Sequence, residues 1–431
     1  MNLKLKLYIK YFARKIRDML GEKLVDFEKI NPEEALRKTL IIASKKIPFY
    51  KNIKFNPDAD NIYEELLKFP VINKYNLLHQ RELFYPKKKP WFIVGKTSGT
   101  TGTPLEIYRS FKSIIYESAF IRRHWSQVGF KTGMKRATLR GDYVVPVTQT
   151  KPPFWFYNIF DNQLIISSRH LKDEYFEVIA DKLEEFSPYI LEAYPSTAYE
   201  LALYLERVNR YIKIPYVFTS SEILYEHQRK LIEKRFCAKV RDFYGMAERV
   251  AFVTECEYGN LHVNTDYSYV EILDENGNPT DDYGFITGTT YHNEVMPLIR
   301  YQLTDITRWK KGICPCGSKF PMIEPIQGKS EDFIYGGKGN AISPSIVTFA
   351  FLEVRFIKKS QVAQIDDGVW EIRIVPDEGF NKEEVEKKLI EHIRKWVDPY
   401  VKVKIRLVND IPRTKSGKFK GVVNEWKKNL D

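Results

Sequence analysis

The feature that most narrows what this chain can fold into is the run Thr97-Ser98-Gly99-Thr100-Thr101-Gly102-Thr103-Pro104, set close behind the apolar stretch WFIVG at 91–95. Up to the proline, every residue is Gly, Ser or Thr. Glycines let a backbone approach a ligand closely, while hydroxyls and main-chain N–H groups donate hydrogen bonds to phosphate oxygens. The apolar stretch predicts a buried strand that ends in this turn. An ordinary Ser/Thr-rich turn is the competing reading. A P-loop is excluded, because GxxxxGK[ST] ending at Gly95-Lys96-Thr97 demands glycine at position 90, where Pro90 stands.

Around this run, helical patterns alternate with short β-rich pieces, among them TLRGDYVV, NQLIIS, PYVFTSS and KVRDFYG. That alternation predicts an α/β fold with helices covering a sheet. From Leu261 to Arg308 short strands are punctuated by turn signals, which predicts an antiparallel β subdomain at about 255–325. The turn-rich QGKSEDF near Gly328 to Asp332 marks a boundary. The expected division is a large domain at 1–330 and a small α+β domain at 331–431, with WEIRIVP and VKVKIRLV as strands and a helix starting at Asn381 between them.

Composition limits the function classes. The chain has 431 residues, 43% of them hydrophobic, enough for a large core. No run of about 18 uncharged apolar residues appears and the N-terminus lacks the pattern of a signal peptide, so a cytoplasmic location is expected. The net charge of +12 favours anionic ligands. Without a recognition helix, aromatic RNA-binding motifs or zinc-finger spacing, specific nucleic-acid binding is not expected. Leu5, Tyr8, Ile9, Phe12, Ile16 and Met19 recur at helical spacing among Lys6, Lys10, Arg14, Lys15 and Arg17. Two readings of this basic amphipathic helix stay open: docking on its own domain, or peripheral contact with acidic lipid.

Only four cysteines occur. Cys256 and His262 bracket a strand-and-turn segment, and Cys314 with Cys316 forms a C-x-C-G knuckle some fifty residues later. Three sulfurs and one nitrogen suit a closed, tetrahedral, structural zinc. Free thiols and a surface histidine are the alternative. Cys237 has no partner in this pattern and is expected in the core.

TSGTTGTP resembles the phosphate loop of the adenylate-forming superfamily, which includes acyl-CoA synthetases, luciferases and nonribosomal peptide adenylation domains. Further motifs follow in the superfamily's order. Tyr244-Gly245-Met246-Ala247-Glu248 is similar to the YGxTE element, which implies an aromatic residue beside adenine and Glu248 as a magnesium ligand. Asp305 in IRYQLTDI stands where a carboxylate accepts both ribose hydroxyls, a match of two acceptor oxygens to two vicinal donors. Gly328-Lys329-Ser330-Glu331-Asp332 resembles the GRxDD element, with Glu331 as the hinge and Lys329 near nucleotide, and PRTKSGK at 412–418 resembles the small-domain loop that carries a catalytic lysine, here Lys418. The stretches RHWSQVGF, NQLIISSRHL, YPSTAYELA, VFTSSEILYEHQR and CEYGNLHVN are similar to the CapK-type branch of the phenylacetate-CoA ligase family, named from capsular polysaccharide biosynthesis. Ser221 and Glu222 of VFTSSEILYEHQR join the expected nucleotide-binding set. Departures from the wider pattern are Gln302, Leu303 and Thr304 before Asp305, Lys329 in place of arginine, and Leu105 where many loops carry lysine.

The resemblance implies an ATP- and magnesium-dependent ligase that converts a carboxylic acid into an acyl-adenylate and passes the acyl group to coenzyme A, or to an amine or hydroxyl, such as that of a sugar. Thr97, Ser98, Gly99, Thr100, Thr101 and Gly102 would hold phosphates and Lys418 the developing charge. Transfer of AMP itself to a cofactor hydroxyl is the second reading, and a catalytically inactive nucleotide-binding relative is the third. Arg123, His124, Trp125, Arg140, Asp142 and His170 lie in the branch-specific stretches, where packing or surface pairing competes with a place in the pocket.

Overall fold

The computed structural model describes residues 2–86, 91–96, 105–328, 332–351, 354–414 and 418–426. Thr97, Ser98, Gly99, Thr100, Thr101, Gly102, Lys329 and Glu331 lie outside the described residues. Four helices open the chain: α1 (Leu3–Leu24), α2 (Pro32–Lys46), α3 (Ile62–Leu66) and α4 (Lys74–His79). Each begins behind an asparagine. The side chains of Asn2, Asn31, Asn61 and Asn73 accept first-turn backbone N–H groups that would otherwise lack a partner.

Strands β1 (Ile93–Lys96) and β2 (Glu106–Arg109) pair antiparallel as a hairpin, with Lys96 opposite Glu106. The buried strand expected at 91–95 is therefore corrected. A strand is present, but it has one partner and stands outside the main sheet, which leaves Trp91 and Val94 exposed. Gly95 leaves room for the Arg109 side chain. A Cβ would fall 2.1 Å from Cζ of Arg109, whose side chain crosses it.

After α5 (Phe111–Ser126) come β3 (Arg136–Arg140), β4 (Trp155–Asn158), β5 (Gln163–Ser167), β6 (Ile190–Ala193), β7 (Tyr216–Ser220), β8 (Lys239–Gly245), β9 (Phe252–Glu255) and β10 (Leu261–Val263). They are followed by β11 (Ser268–Leu273), β12 (Gly284–Thr290), β13 (Tyr301–Thr307), β14 (Trp309–Lys310) and β15 (Met322–Ile323). The main sheet runs β4-β5-β3-β6-β7-β8-β9-β10-β15-β14. Its middle strands, from β5 to β8, are parallel. Alternation along the strands explains both covers. Leu191 and Val217 pack beneath α6 (Phe176–Phe186), α7 (Pro195–Arg207) and α8 (Glu226–Phe236), whereas Ile190 and Phe218 pack with Trp125 of α5 on the other face.

The β-rich stretch expected as one subdomain divides between two sheets. The chain reverses after Gly245 and β9 pairs back on β8, with Phe243 opposite Thr254, so β9, β10, β14 and β15 extend the main sheet. Strands β11, β12 and β13 form a separate antiparallel sheet, packed on helix α2 and the segment around Phe69 and Phe84. Cys237 is exposed at the C-cap of α8 with φ +47°, which corrects the expectation of a core position. The left-handed turn there carries its side chain away from the sheet.

A smaller α+β unit follows: β16 (Ile334–Tyr335), β17 (Ala341–Ile342), α9 (Pro344–Val347), β18 (Ile357–Asp366), β19 (Val369–Pro376), α10 (Lys382–His392), β20 (Lys402–Leu407) and β21 (Val422–Asn424). Its four-stranded sheet, β20-β19-β18-β21, packs Trp370, Ile372 and Ile374 against Val385 and Leu389 of α10. Asn381 caps that helix by accepting the Glu384 N–H.

Candidate active site

In an open sheet of this kind, ligands bind beyond the carboxyl ends of the parallel strands, where loops diverge. Arg140 ends β3, Ser196 follows β6, Ser221 and Glu222 follow β7, and Tyr244 to Glu248 end β8 and begin the next turn. All of them line one cavity of about 1580 Å³, together with Asp305 from β13 and Lys418 from the smaller unit. The structure thus gathers Ser221, Glu222, Tyr244, Gly245, Met246, Glu248, Asp305 and Lys418 around one space. The metal candidates Cys256, His262, Cys314 and Cys316 cluster elsewhere.

Tyr244 has its hydroxyl buried against the Asp305 carboxylate, and burial together with that negative charge raises its pKa far above the ordinary phenol value. The contact fixes the Tyr244 ring beside the carboxylate on β13. Arg140 donates to Ser221 Oγ at 3.0 Å and stacks over the Tyr194 ring. Of the six residues from the branch-specific stretches, Arg140 lines the cavity. Arg123 pairs with Asp266 and Asn264, Asp142 with Lys10, and His170 is bonded to Ser167 and Gln149. His124 is buried beside Phe218 and Phe243, its pKa lowered by burial to about 4, and Trp125 packs on Phe130.

Several residues that motif reading passed over hold this arrangement. Arg109 crosses Gly95 and donates to the Ala247 carbonyl at 2.6 Å, tying the hairpin to the segment that carries Glu248. Burial, with Arg249 nearby, lowers the Arg109 pKa to about 10. Glu117 of α5 also lines the cavity, bonded to Tyr267 and 3.6 Å from Arg249. Neither residue stands in a motif of the sequence, and their partners lie more than a hundred residues away.

Glu222 joins the two units. One carboxylate oxygen accepts the Ser196 N–H at 3.0 Å, and the other accepts the N–H of Phe419, the neighbour of Lys418, at 2.8 Å. Burial raises its pKa against the pull of these donors. Arg413 donates to Ser196 Oγ at 2.7 Å and pairs with Glu200 at 2.9 Å. Within the lysine loop, Thr414 N–H donates to the Lys418 carbonyl and Thr414 Oγ1 accepts the Lys418 N–H. Lys420 pairs with Asp332 at 2.9 Å. Gly328, with φ +108° and a backbone carbonyl accepting from Ile306, sits immediately before the segment expected as the hinge and beside Asp305.

The sulfur and nitrogen atoms of Cys256, His262, Cys314 and Cys316 all lie within 4.8 Å of one another. Cys256 and Cys314 sulfurs are 3.6 Å apart, too far for a disulfide, and Cys316 Sγ is 3.4 Å from His262 Nε2. Zinc bonds of about 2.3 Å to sulfur and about 2.0 Å to nitrogen give tetrahedral edges of roughly 3.5–3.8 Å, so the donor set fits that ion. His262 Nδ1 lies 2.9 Å from the Phe320 carbonyl, which holds the proton there and leaves Nε2 for a metal.

An open sheet with a cavity at its strand ends, covered by a small α+β unit bearing a lysine loop, is the fold of adenylate-forming acyl-CoA ligases. The structure is similar to 2-hydroxyisobutyryl-CoA ligase in the postadenylation state in complex with an acyl-AMP, with a TM-score of 0.71 at 17% identity, covering 92% of this chain and 89% of that one. Against the same ligase in the thioesterification state the TM-score is 0.56. Residues 334–425 match the family described as CapK C-terminal domain. Protein CapK of Staphylococcus aureus is 27% identical over 407 residues, which covers 88% of this chain and 87% of that protein. Phenylacetate-coenzyme A ligase of Thermus thermophilus is 22% identical over 336 residues, 70% of each. Over most of its length the chain is thus similar to CapK and to phenylacetate-coenzyme A ligases, on the fold of adenylate-forming CoA ligases. Among the described residues, no helix is long and apolar enough to cross a membrane.

Asp242 on β8 lines the cavity and accepts from Thr219, and burial raises its pKa to about 7. A carboxyl that binds its proton more tightly when folded makes stability fall as pH rises from about 4 to about 7. Asp242→Asn is expected to flatten that fall, measured as urea-unfolding free energy across this range. An unchanged slope would show that Asp242 does not carry it.

Proposed function

We propose that this protein uses ATP to activate a carboxylic acid as an acyl-adenylate and then transfers the acyl group to an acceptor. The observation that carries the reading is the convergence of Tyr244, Glu248, Asp305 and Lys418, from three separate stretches of sequence, on one cavity. In the first step a carboxylate oxygen attacks the α-phosphorus and pyrophosphate leaves. Asp305 accepts the ribose hydroxyls, Tyr244 flanks the base, and the run 97–102 embraces the phosphates. Lys418 stabilises negative charge as it builds between carboxylate and α-phosphate. Magnesium, held by Glu248 and phosphate oxygens, would supply further neutralisation of the pyrophosphate.

The second step needs a different face of the small unit. Rotation about Glu331 would withdraw Lys418 and admit the acceptor. Both the seated Lys418 loop and the closer likeness to a postadenylation structure support assigning this conformation to the first step. Coenzyme A is the acceptor we favour, since 2-hydroxyisobutyryl-CoA ligase has been seen with it in the thioesterification state. An amine or hydroxyl of a sugar remains the alternative suggested by the CapK relationship. Pyrophosphate release from ATP and magnesium over a panel of aryl, fatty, amino and sugar acids tests the first step. Lys418→Ala is expected to slow it by ~10²–10³-fold while sparing acyl transfer from a supplied acyl-adenylate. Equal loss of both steps would refute the assignment.

We further propose that Cys256, His262, Cys314 and Cys316 hold a structural zinc that pins the 311–320 loop to β10. All four donor positions are protein atoms, so the ion has no open site for chemistry. Elemental analysis should find a single zinc per chain, lost together with thermal stability in Cys314→Ser. Metal-free protein with four titratable thiols and unchanged melting would contradict it.

A further inference from the structure

Helix α1 is docked, but not by the stripe its periodicity advertises. Leu7, Tyr11, Asp18 and Gly21 face inward. Tyr11 stacks on Phe156, Lys10 pairs with Asp142 at 3.0 Å, and Asp18 receives Arg122 at 2.8 Å. The opposite face carries Leu5, Ile9, Phe12, Ile16 and Met19, each between 44% and 53% exposed. Successive spacings of four and three keep these five side chains in one line along the helix. Phe12 also contacts Phe160, beside which Ile159 is exposed, so the apolar strip continues off the helix.

The borders of the strip are basic. At 100° per residue, Lys4 and Lys15 lie along one side, Lys6 and Arg17 along the other, and Lys23 near its end. Residues 2–24 contain seven Lys and Arg against two acidic residues, a surplus of five out of the chain's net twelve. Both acids, Asp18 and Glu22, are engaged by Arg122; Asp18 also takes Arg17, and Asp161 takes Lys15 at 3.7 Å, so the exposed cations of the borders are Lys4, Lys6 and Lys23. A second copy of this helix is a poor cover, because lysine borders would face lysine borders. An anionic bilayer complements both features at once: acyl chains for the strip, lipid phosphates and carboxylates for its borders.

We propose that α1 is an interfacial helix that docks the protein on anionic membrane surfaces, lying in the headgroup plane with Leu5, Ile9, Phe12, Ile16 and Met19 inserted. The inference stands independently of the ligase reading. Its test is cosedimentation of the full chain with vesicles of phosphatidylcholine and phosphatidylserine, set beside phosphatidylcholine alone. Binding should favour the mixed vesicles by at least about tenfold and weaken as salt is raised. The variant Ile9→Ser, Phe12→Ser, Ile16→Ser should lose about tenfold or more in binding while keeping the melting temperature, because these side chains contribute little to the core. As an independent variant, Lys4→Glu with Lys6→Glu should abolish the preference for anionic lipid while leaving the apolar strip intact. The proposal is overturned if the native chain ignores mixed vesicles, if it binds neutral vesicles equally well, or if sedimentation velocity shows a dimer that the triple variant dissolves.

Discussion

One carboxylate decides where the lysine loop sits. Glu222, at the carboxyl end of β7, accepts a backbone N–H from Ser196 on the large unit and another from Phe419 on the small one. A charged acceptor facing two main-chain donors makes stronger hydrogen bonds than a neutral one, and burial around it excludes competing water. Since Phe419 directly follows Lys418, this bridge fixes the lysine backbone at the cavity that also contains Asp305 and Tyr244.

The remainder of the seam is weaker. Arg413–Glu200 is mostly shielded, but Arg207–Asp377 at 3.7 Å and Lys358–Asp173 are partly exposed. Exposed pairs typically contribute about 0–1 kcal/mol each, and less in salt. Among the described residues no apolar core is shared by the two units: Trp370, Ile372 and Leu389 pack within the small one. A contact made chiefly of hydrogen bonds and ion pairs holds one orientation without fusing the domains. This suits a small unit proposed to serve two successive steps.

Much of this was legible because the chemistry is local. Tyr244 to Glu248, Asp305 and the 412–418 loop sit in short motifs whose residue types state their task, and Cys314-Pro315-Cys316-Gly317 announces a knuckle. What escaped depends on partners remote in the chain. Glu222 lies 197 residues from Phe419, and Arg109 lies 138 residues from Ala247. No spacing rule could pair them. Helix α1 shows a second kind of limit. Apolar residues recur on two of its faces, and the docking face was chosen by Asp18 and Lys10 finding Arg122 and Asp142, which periodicity does not report. The β-rich stretch misled for a similar reason, since strand pattern does not say which sheet a strand joins.

Glu222 is proposed to seat Lys418 for adenylate formation. Glu222→Gln measures it most directly, because the new amide places a donor against one of two backbone donors while keeping the volume. Acid-dependent pyrophosphate release is expected to fall by about tenfold or more. The KM for ATP and the rate of acyl transfer from a supplied acyl-adenylate should hold. A rise in the KM for ATP with an unchanged maximal rate would instead make Glu222 a nucleotide ligand and rule out its seating of Lys418.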